Sequence, residues 1–177
     1  MGTFDFAEAF EHHTWATLRL IDACQELTSE QLETPVAGTY GSILQTLRHI
    51  VAGDAFDLLL LNGVRSPLVD DEDEMGLNEL RATMERQGPA WLRFLAGTPD
   101  ANTLVEEVDP DDGYWREGSI GIRLAQALHH GGEHRAQICT ALTIFGLQAP
   151  AISVWDFGLE SGRVRETYPT GPEPRPG

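Results

Sequence analysis

Four segments of the chain carry apolar side chains at the 3.6-residue period of an amphipathic helix. The pattern and its capping residues predict helices over residues 4–27, 42–62, 77–95 and 119–145, with a short helical element at 154–159. Turn-rich sequence before the last long helix lacks helical period, which favours an irregular excursion or a short hairpin. The sequence therefore predicts an all-α fold, an up-and-down four-helix bundle over residues 1–165, followed by a disordered tail at 166–177.

The charge balance excludes several classes of function. The chain has a formal net charge of −16, and all 12 of its basic residues are arginines. Binding to nucleic acid or to anionic lipid relies on positive surface, so neither partner is expected. Without lysine there is no Schiff-base chemistry and no P-loop. The longest apolar run is far too short to span a membrane and no signal peptide is evident, so a cytoplasmic location is expected.

Histidines are concentrated in the last predicted helix. His130 and His134 are four residues apart, so their directions differ by only about 40° and one ion can bind both. An exposed or core-satisfied pair is the alternative. Since a catalytic metal needs a third ligand, His49 on the second helix is the candidate, with Asp54 as a fourth ligand or as an acceptor that orients a ligand.

Other polar residues near these histidines have weaker claims. His129 points about 100° away from His130 and is expected to orient a ligand or to lie at the surface. Glu133 is a candidate base or orienting group, or an ordinary exposed glutamate. His12 and His13 are expected at the surface or the end of the bundle; the alternative is that one of them lines the mouth of the pocket. Arg135 is expected in a surface salt bridge or against a substrate carboxylate.

Two glycines interrupt the same helix, and two cysteines lie on apolar stretches. Each helical glycine costs roughly 1 kcal/mol relative to alanine. Gly131 and Gly132 would therefore either open space above a metal or allow close helix packing, and alanine at both should stabilise the helix. Cys24 and Cys139 have no metal or redox spacing and are expected to be reduced, buried thiols.

Three stretches carry a family resemblance: "HHTWATLRLIDACQELTSEQL", "GTYGSILQTLRHIVAGD" and "LHHGGEHRAQICTALTIFG". With them the chain resembles the DinB-like (YfiT-type) family of metal-binding four-helix bundles. The resemblance implies a divalent metal, usually zinc or nickel, held by His49, His130 and His134 with one position open. It also implies a relation to enzymes that use mycothiol, bacillithiol or glutathione, and homodimers are common. Isomerases of this kind have a glutamate where this chain has His130, so maleylpyruvate isomerisation is not implied.

Three hypotheses for function follow. The first is a metal-dependent transferase that activates a small thiol for attack on an electrophilic small-molecule substrate. The second is a metal-dependent hydrolase, because "HGGEH" fits the H-x-x-E-H signature, with Glu133 as the base. The third is a metal or ligand binding protein without catalysis.

Overall fold

The computed structural model describes residues 6–63, 74–108 and 113–167. The helices are α1 (Ala7–Cys24), α2 (Ser29–Glu33), α3 (Ile43–Asn62), α4 (Leu77–Ala96), α5 (Ile120–Ile144) and α6 (Val154–Glu160), and the strands are β1 (Leu104–Val108) and β2 (Trp115–Ser119). The predicted all-α bundle with a hairpin before the last long helix is confirmed. The predicted tail lies almost entirely outside the described residues.

Local sequence signals set most of the helix ends. Ser42 and Gln45 form a reciprocal capping box at the start of α3, and Gly63 ends that helix in the left-handed region. Ser119 accepts a hydrogen bond from the Ile122 backbone N–H at the start of α5. A second capping box begins at Thr28 and starts the five-residue helix α2.

The four long helices pack as a ring. α1 packs against α4 and α5, and α3 packs against the same two helices, so α1 and α3 lie diagonally across the bundle. The hairpin adjoins the start of α5 and the side of α3. Its strands are antiparallel, with Leu104 opposite Ser119 and Val108 opposite Trp115. The ring brings α3 and α5, which carry the candidate ligands, into direct contact.

The core has two apolar layers with a polar layer between them. One apolar cluster includes Leu20, Leu47 and Ile138, and the other includes Phe10 and Trp91. Between them along the helices lie the buried polar residues His13, Thr17, Asp54, Gln87 and Arg135. Buried polar groups must be hydrogen-bonded to be tolerated, so this layer fixes how the helices are oriented around their axes.

Among the described residues, no helix is long and apolar enough to cross a membrane.

Small residues allow two close helix contacts. An added Cβ at Gly88 of α4 would lie 2.7 Å from Thr14 Cγ2 of α1. At the α3–α5 contact, a Cβ at Gly53 would lie 3.1 Å from His130 Cε1. α4 continues as a helix through Pro89. Glycine therefore makes room for a side chain of the neighbouring helix at both contacts.

Candidate metal centre

His49 of α3 and the pair His130 and His134 of α5 come together at the α3–α5 contact. One ring nitrogen from each lies within 4.8 Å of the others, and the Nε2 atoms of His49 and His130 are 2.9 Å apart. The ring centroids of the three imidazoles are 4.5–4.8 Å apart. Three nitrogen donors converge on one point, so this group could hold a metal ion.

The protonation of His134 follows from its neighbour Gln137. Gln137 Oε1 accepts a hydrogen bond from the Tyr40 backbone N–H at 2.9 Å. The same oxygen lies 3.0 Å from His134 Nδ1. Because a backbone N–H can only donate, this amide atom is the oxygen, and His134 Nδ1 must donate to it. In the neutral ring the lone pair of His134 is therefore on Nε2, which leaves that nitrogen able to bind an ion.

The wall of the site is aromatic and partly open. Tyr40 stacks on His49 with ring centroids 4.1 Å apart and meets His134 edge-on at 5.3 Å. Tyr40 is itself 55% exposed, and His49 and His130 are only partly buried. A small molecule can therefore approach from the Tyr40 side. This stacking was not predicted, because Tyr40 precedes α3 and has no helical register with the histidines.

Burial, followed by the neighbouring His49 and His134, lowers the pKa of His130 to about 4. Its imidazole is thus neutral at neutral pH. Metal ions bind the neutral form of histidine, so His130 is a suitable candidate ligand at neutral pH.

Behind the three histidines lies the polar layer, which corrects three predictions. His13 is completely buried rather than at the surface. Its Nδ1 accepts a hydrogen bond from Arg135 Nη1 at 3.0 Å, because arginine can only donate. The proton of His13 is therefore on Nε2, which donates to Asp54 Oδ2 at 2.8 Å. Asp54 thus accepts a hydrogen bond from His13 and does not belong to the group of three histidines.

Arg135 is also buried, not part of a surface salt bridge. Its Nη1 donates to Thr17 Oγ1 at 3.1 Å in addition to His13. Burial lowers the pKa of its guanidinium to about 10, against a smaller opposing effect of Asp54. Trp91 Nε1 donates to Asp54 Oδ2 at 3.4 Å, which brings α4 into the same layer. Arg135, His13 and Asp54 form a continuous chain from a cation to an anion.

The two glycines of α5 have different roles. A Cβ on Gly131 would lie 2.3 Å from His13 Cε1, so Gly131 makes room for the buried imidazole. A Cβ on Gly132 would meet only Arg135 Nη2, at 4.0 Å. Close packing against His13 explains the glycine at position 131. A need for open space above the three histidines does not explain it. For Gly131 the close contact with His13 opposes the expectation that alanine at both positions stabilises the helix.

The remaining candidates do not belong to the group of three histidines. His129 and Glu133 are exposed on α5, and neither makes a hydrogen bond or ion pair within the described residues. His12 Nε2 lies 2.9 Å from the Ile152 carbonyl oxygen, and burial lowers the pKa of His12. Gln137 supplies the orienting contact that was expected of His129 or Glu133.

Neither cysteine of the chain belongs to the group. Both are free thiols, with Cys24 buried and Cys139 partly buried. Burial raises the pKa of Cys24 to about 12, and burial also raises the pKa of Cys139. Both are therefore protonated at neutral pH and poor nucleophiles, as their sequence context predicted.

Comparison with known families agrees with the resemblance in sequence. The DinB family model matches residues 1–161, which include the bundle and all three clustered histidines. The chain belongs to the DinB family. Among curated proteins, no significant match was found. The family assignment covers the fold and the segments that supply the candidate ligands, and it leaves the reaction open.

Replacing Gly131 with alanine is expected to destabilise the protein, although alanine favours a helix. The new methyl group would displace His13, which is held by hydrogen bonds on both ring nitrogens. Overpacking of this kind costs about 1–3 kcal/mol, more than the roughly 1 kcal/mol gained in helix propensity. Urea unfolding should show the loss for Gly131→Ala and a gain for the control Gly132→Ala. Equal or greater stability of Gly131→Ala would contradict the packing role of this glycine.

Proposed function

We propose that this DinB-family protein is a metal-dependent enzyme, with His49, His130 and His134 as ligands of a zinc or nickel ion. The convergence of the three ring nitrogens carries the proposal. Two nitrogens that bind one zinc ion at about 2.0–2.1 Å in tetrahedral geometry lie roughly 3.3 Å apart. The 2.9 Å separation of His49 Nε2 and His130 Nε2 is close to this value.

The chemistry of the donor set fits a divalent ion. Imidazole nitrogen suits zinc, nickel, copper and iron alike, so the donor type supports a transition metal over magnesium or calcium. His130 is neutral at neutral pH and His134 has its lone pair on Nε2, so both are ready ligands. Three protein ligands leave a coordination position for another molecule, as in catalytic sites and unlike closed structural sites.

The reaction we propose is transfer of a small thiol, such as mycothiol or bacillithiol, to an electrophilic substrate. A divalent ion in an open site supplies a lowered pKa for a bound thiol or water. The chain's own cysteines are protonated and lie outside the histidine group, so the reacting thiol would come from outside the chain. Tyr40, stacked on His49 and half exposed, would form one wall of the binding site.

Hydrolysis has less support than thiol transfer. In the H-x-x-E-H reading, Glu133 would have to reach a water molecule near the histidines. Its side chain is exposed on α5 and has no hydrogen bond to any of the histidines.

A metal or ligand binding protein without catalysis is the other alternative. The homodimer implied by the family resemblance also remains a prediction.

The ligand assignment predicts the behaviour of three alanine variants. His49→Ala, His130→Ala and His134→Ala should each lose the bound ion, because two remaining imidazoles hold a divalent ion weakly. His129→Ala is the matched control, since His129 lies on the same helix but outside the group. Native mass spectrometry of untagged protein would report the ion, any retained small molecule and the number of subunits.

Wild-type protein without a divalent ion, or retention of the ion by all three variants, would contradict the metal site. The reaction is tested separately with mycothiol, bacillithiol or glutathione and a bimane electrophile. Thiol-dependent turnover that is lost in the three variants supports the transferase. Turnover of esters without thiol would favour the hydrolase, and an intact metal site without any turnover would favour a binding protein.

The role of Gln137 gives a second prediction. Gln137→Leu removes the acceptor of the His134 Nδ1–H and should weaken metal affinity by about 10–100-fold, the usual effect of losing such an orienting partner. Gln137→Glu keeps an acceptor oxygen for both His134 and the Tyr40 backbone and should retain the affinity. Competition with a chromogenic zinc chelator measures both. Unchanged affinity in Gln137→Leu would show that this hydrogen bond does not orient the ligand.

A further inference from the structure

A cavity lies between α1, α5 and α6. Its volume is about 990 Å³, and its apolar lining includes Leu128 of α5, Phe157 of α6 and Val164. On α5 it is lined by Leu128, Gly132 and Arg135, and none of the three clustered histidines borders it. Gly132 is about 200° around the helix from His130, so the cavity and the candidate metal centre are on opposite sides of α5.

Arg135 gives this cavity a buried positive charge. Only its Nη1 is engaged, by His13 and Thr17. Its Nε and Nη2 donors have no hydrogen-bond partner in residues 6–63, 74–108 and 113–167. These two nitrogens form one edge of the guanidinium, which matches the two oxygens of a carboxylate. The Cβ position of Gly132, itself a lining residue, is 4.0 Å from Nη2.

The other charged groups of the lining do not neutralise Arg135. Two other charged side chains, Glu8 and Arg163, line the cavity, and they pair with each other at 3.7 Å. Arg163 also pairs with Glu11, and its guanidinium lies 5.1 Å from the Phe157 ring centroid. His12 adds no cation, because burial lowers its pKa. Arg135 forms no ion pair with a carboxylate in the described part of the chain, and Asp54 reaches it only through His13. The charge of Asp54 offsets only part of the cost of burying this cation, so an anionic ligand would offset more of it.

We propose that the α1–α5–α6 cavity binds a small monocarboxylate with an apolar body. The carboxylate oxygens accept hydrogen bonds from Nε and Nη2 of Arg135, and the apolar body packs against Leu128, Phe157 and Val164. Gly132 leaves the space through which the ligand reaches the guanidinium. The site is separate from the histidine group and does not depend on the proposed metal chemistry.

The probes are octanoate and phenylacetate, with octanamide and phenylacetamide as uncharged analogues of the same shape. Isothermal titration calorimetry on the full-length protein should show that the carboxylates bind at least about tenfold more tightly than the amides, since a charge-assisted hydrogen bond is lost. Arg135→Gln should weaken carboxylate binding by about 10–100-fold. Equal binding of acid and amide would overturn the proposal.

Arg135 also supports the core, so a second variant avoids its contacts. Gly132→Leu places a side chain in the cavity without replacing Arg135 or its partners, and it should abolish carboxylate binding while thermal unfolding remains cooperative. His49→Ala should leave carboxylate binding unchanged, because His49 is on the other side of α5. Binding that persists in Gly132→Leu, or is lost in His49→Ala, would place the ligand elsewhere and overturn the proposal. Failure here would leave the metal site untouched.

Discussion

The hydrogen-bond chain Arg135–His13–Asp54 connects α5, α1 and α3, and Trp91 of α4 donates to the same carboxylate. Every long helix of the bundle therefore contributes to one buried polar layer. Apolar side chains alone would allow the helices to rotate and slide with small changes in buried area. A buried ionic chain allows one arrangement, because breaking any link leaves a buried charge or donor unsatisfied. The rotation of α5 about its axis follows from this constraint.

That rotation also determines where the candidate ligands meet. With Arg135 and Gly131 turned towards α1, His130 and His134 face α3, where they find His49. Gly53 lets the His130 ring approach the α3 backbone, just as Gly131 makes room for His13 on the other side. Gln137, one turn beyond His134, then links this helix to the Tyr40 backbone. The candidate site thus depends on how two turns of α5, from His130 to Gln137, pack against their neighbours, and not on the three histidines alone.

The sequence predicted the helices and the three clustered histidines for a physical reason. Helical period and capping are local properties, and the spacing of His130 and His134 puts them on one face whatever surrounds the helix. The prediction for His13 was wrong because burial depends on which neighbour it meets. His13 and Arg135 are far apart in the chain, and each looks like an ordinary surface residue until the other satisfies it. The role of Gln137 was not predicted, because its partner Tyr40 lies in a connection without helical periodicity.

The same dependence on partners explains why adjacent residues of α5 differ in chemistry. His134 faces the ring nitrogens of His49 and His130, where a positive ion would be stabilised by the three imidazoles and by Asp54 behind them. Arg135, about 100° further round, is itself the positive charge and faces the cavity lined by α1 and α6. His13 lies between the two charges: it accepts a hydrogen bond from Arg135 and donates one to Asp54. A cation on one side of α5 and an anion on the other would thus each find opposite charge in the same buried chain.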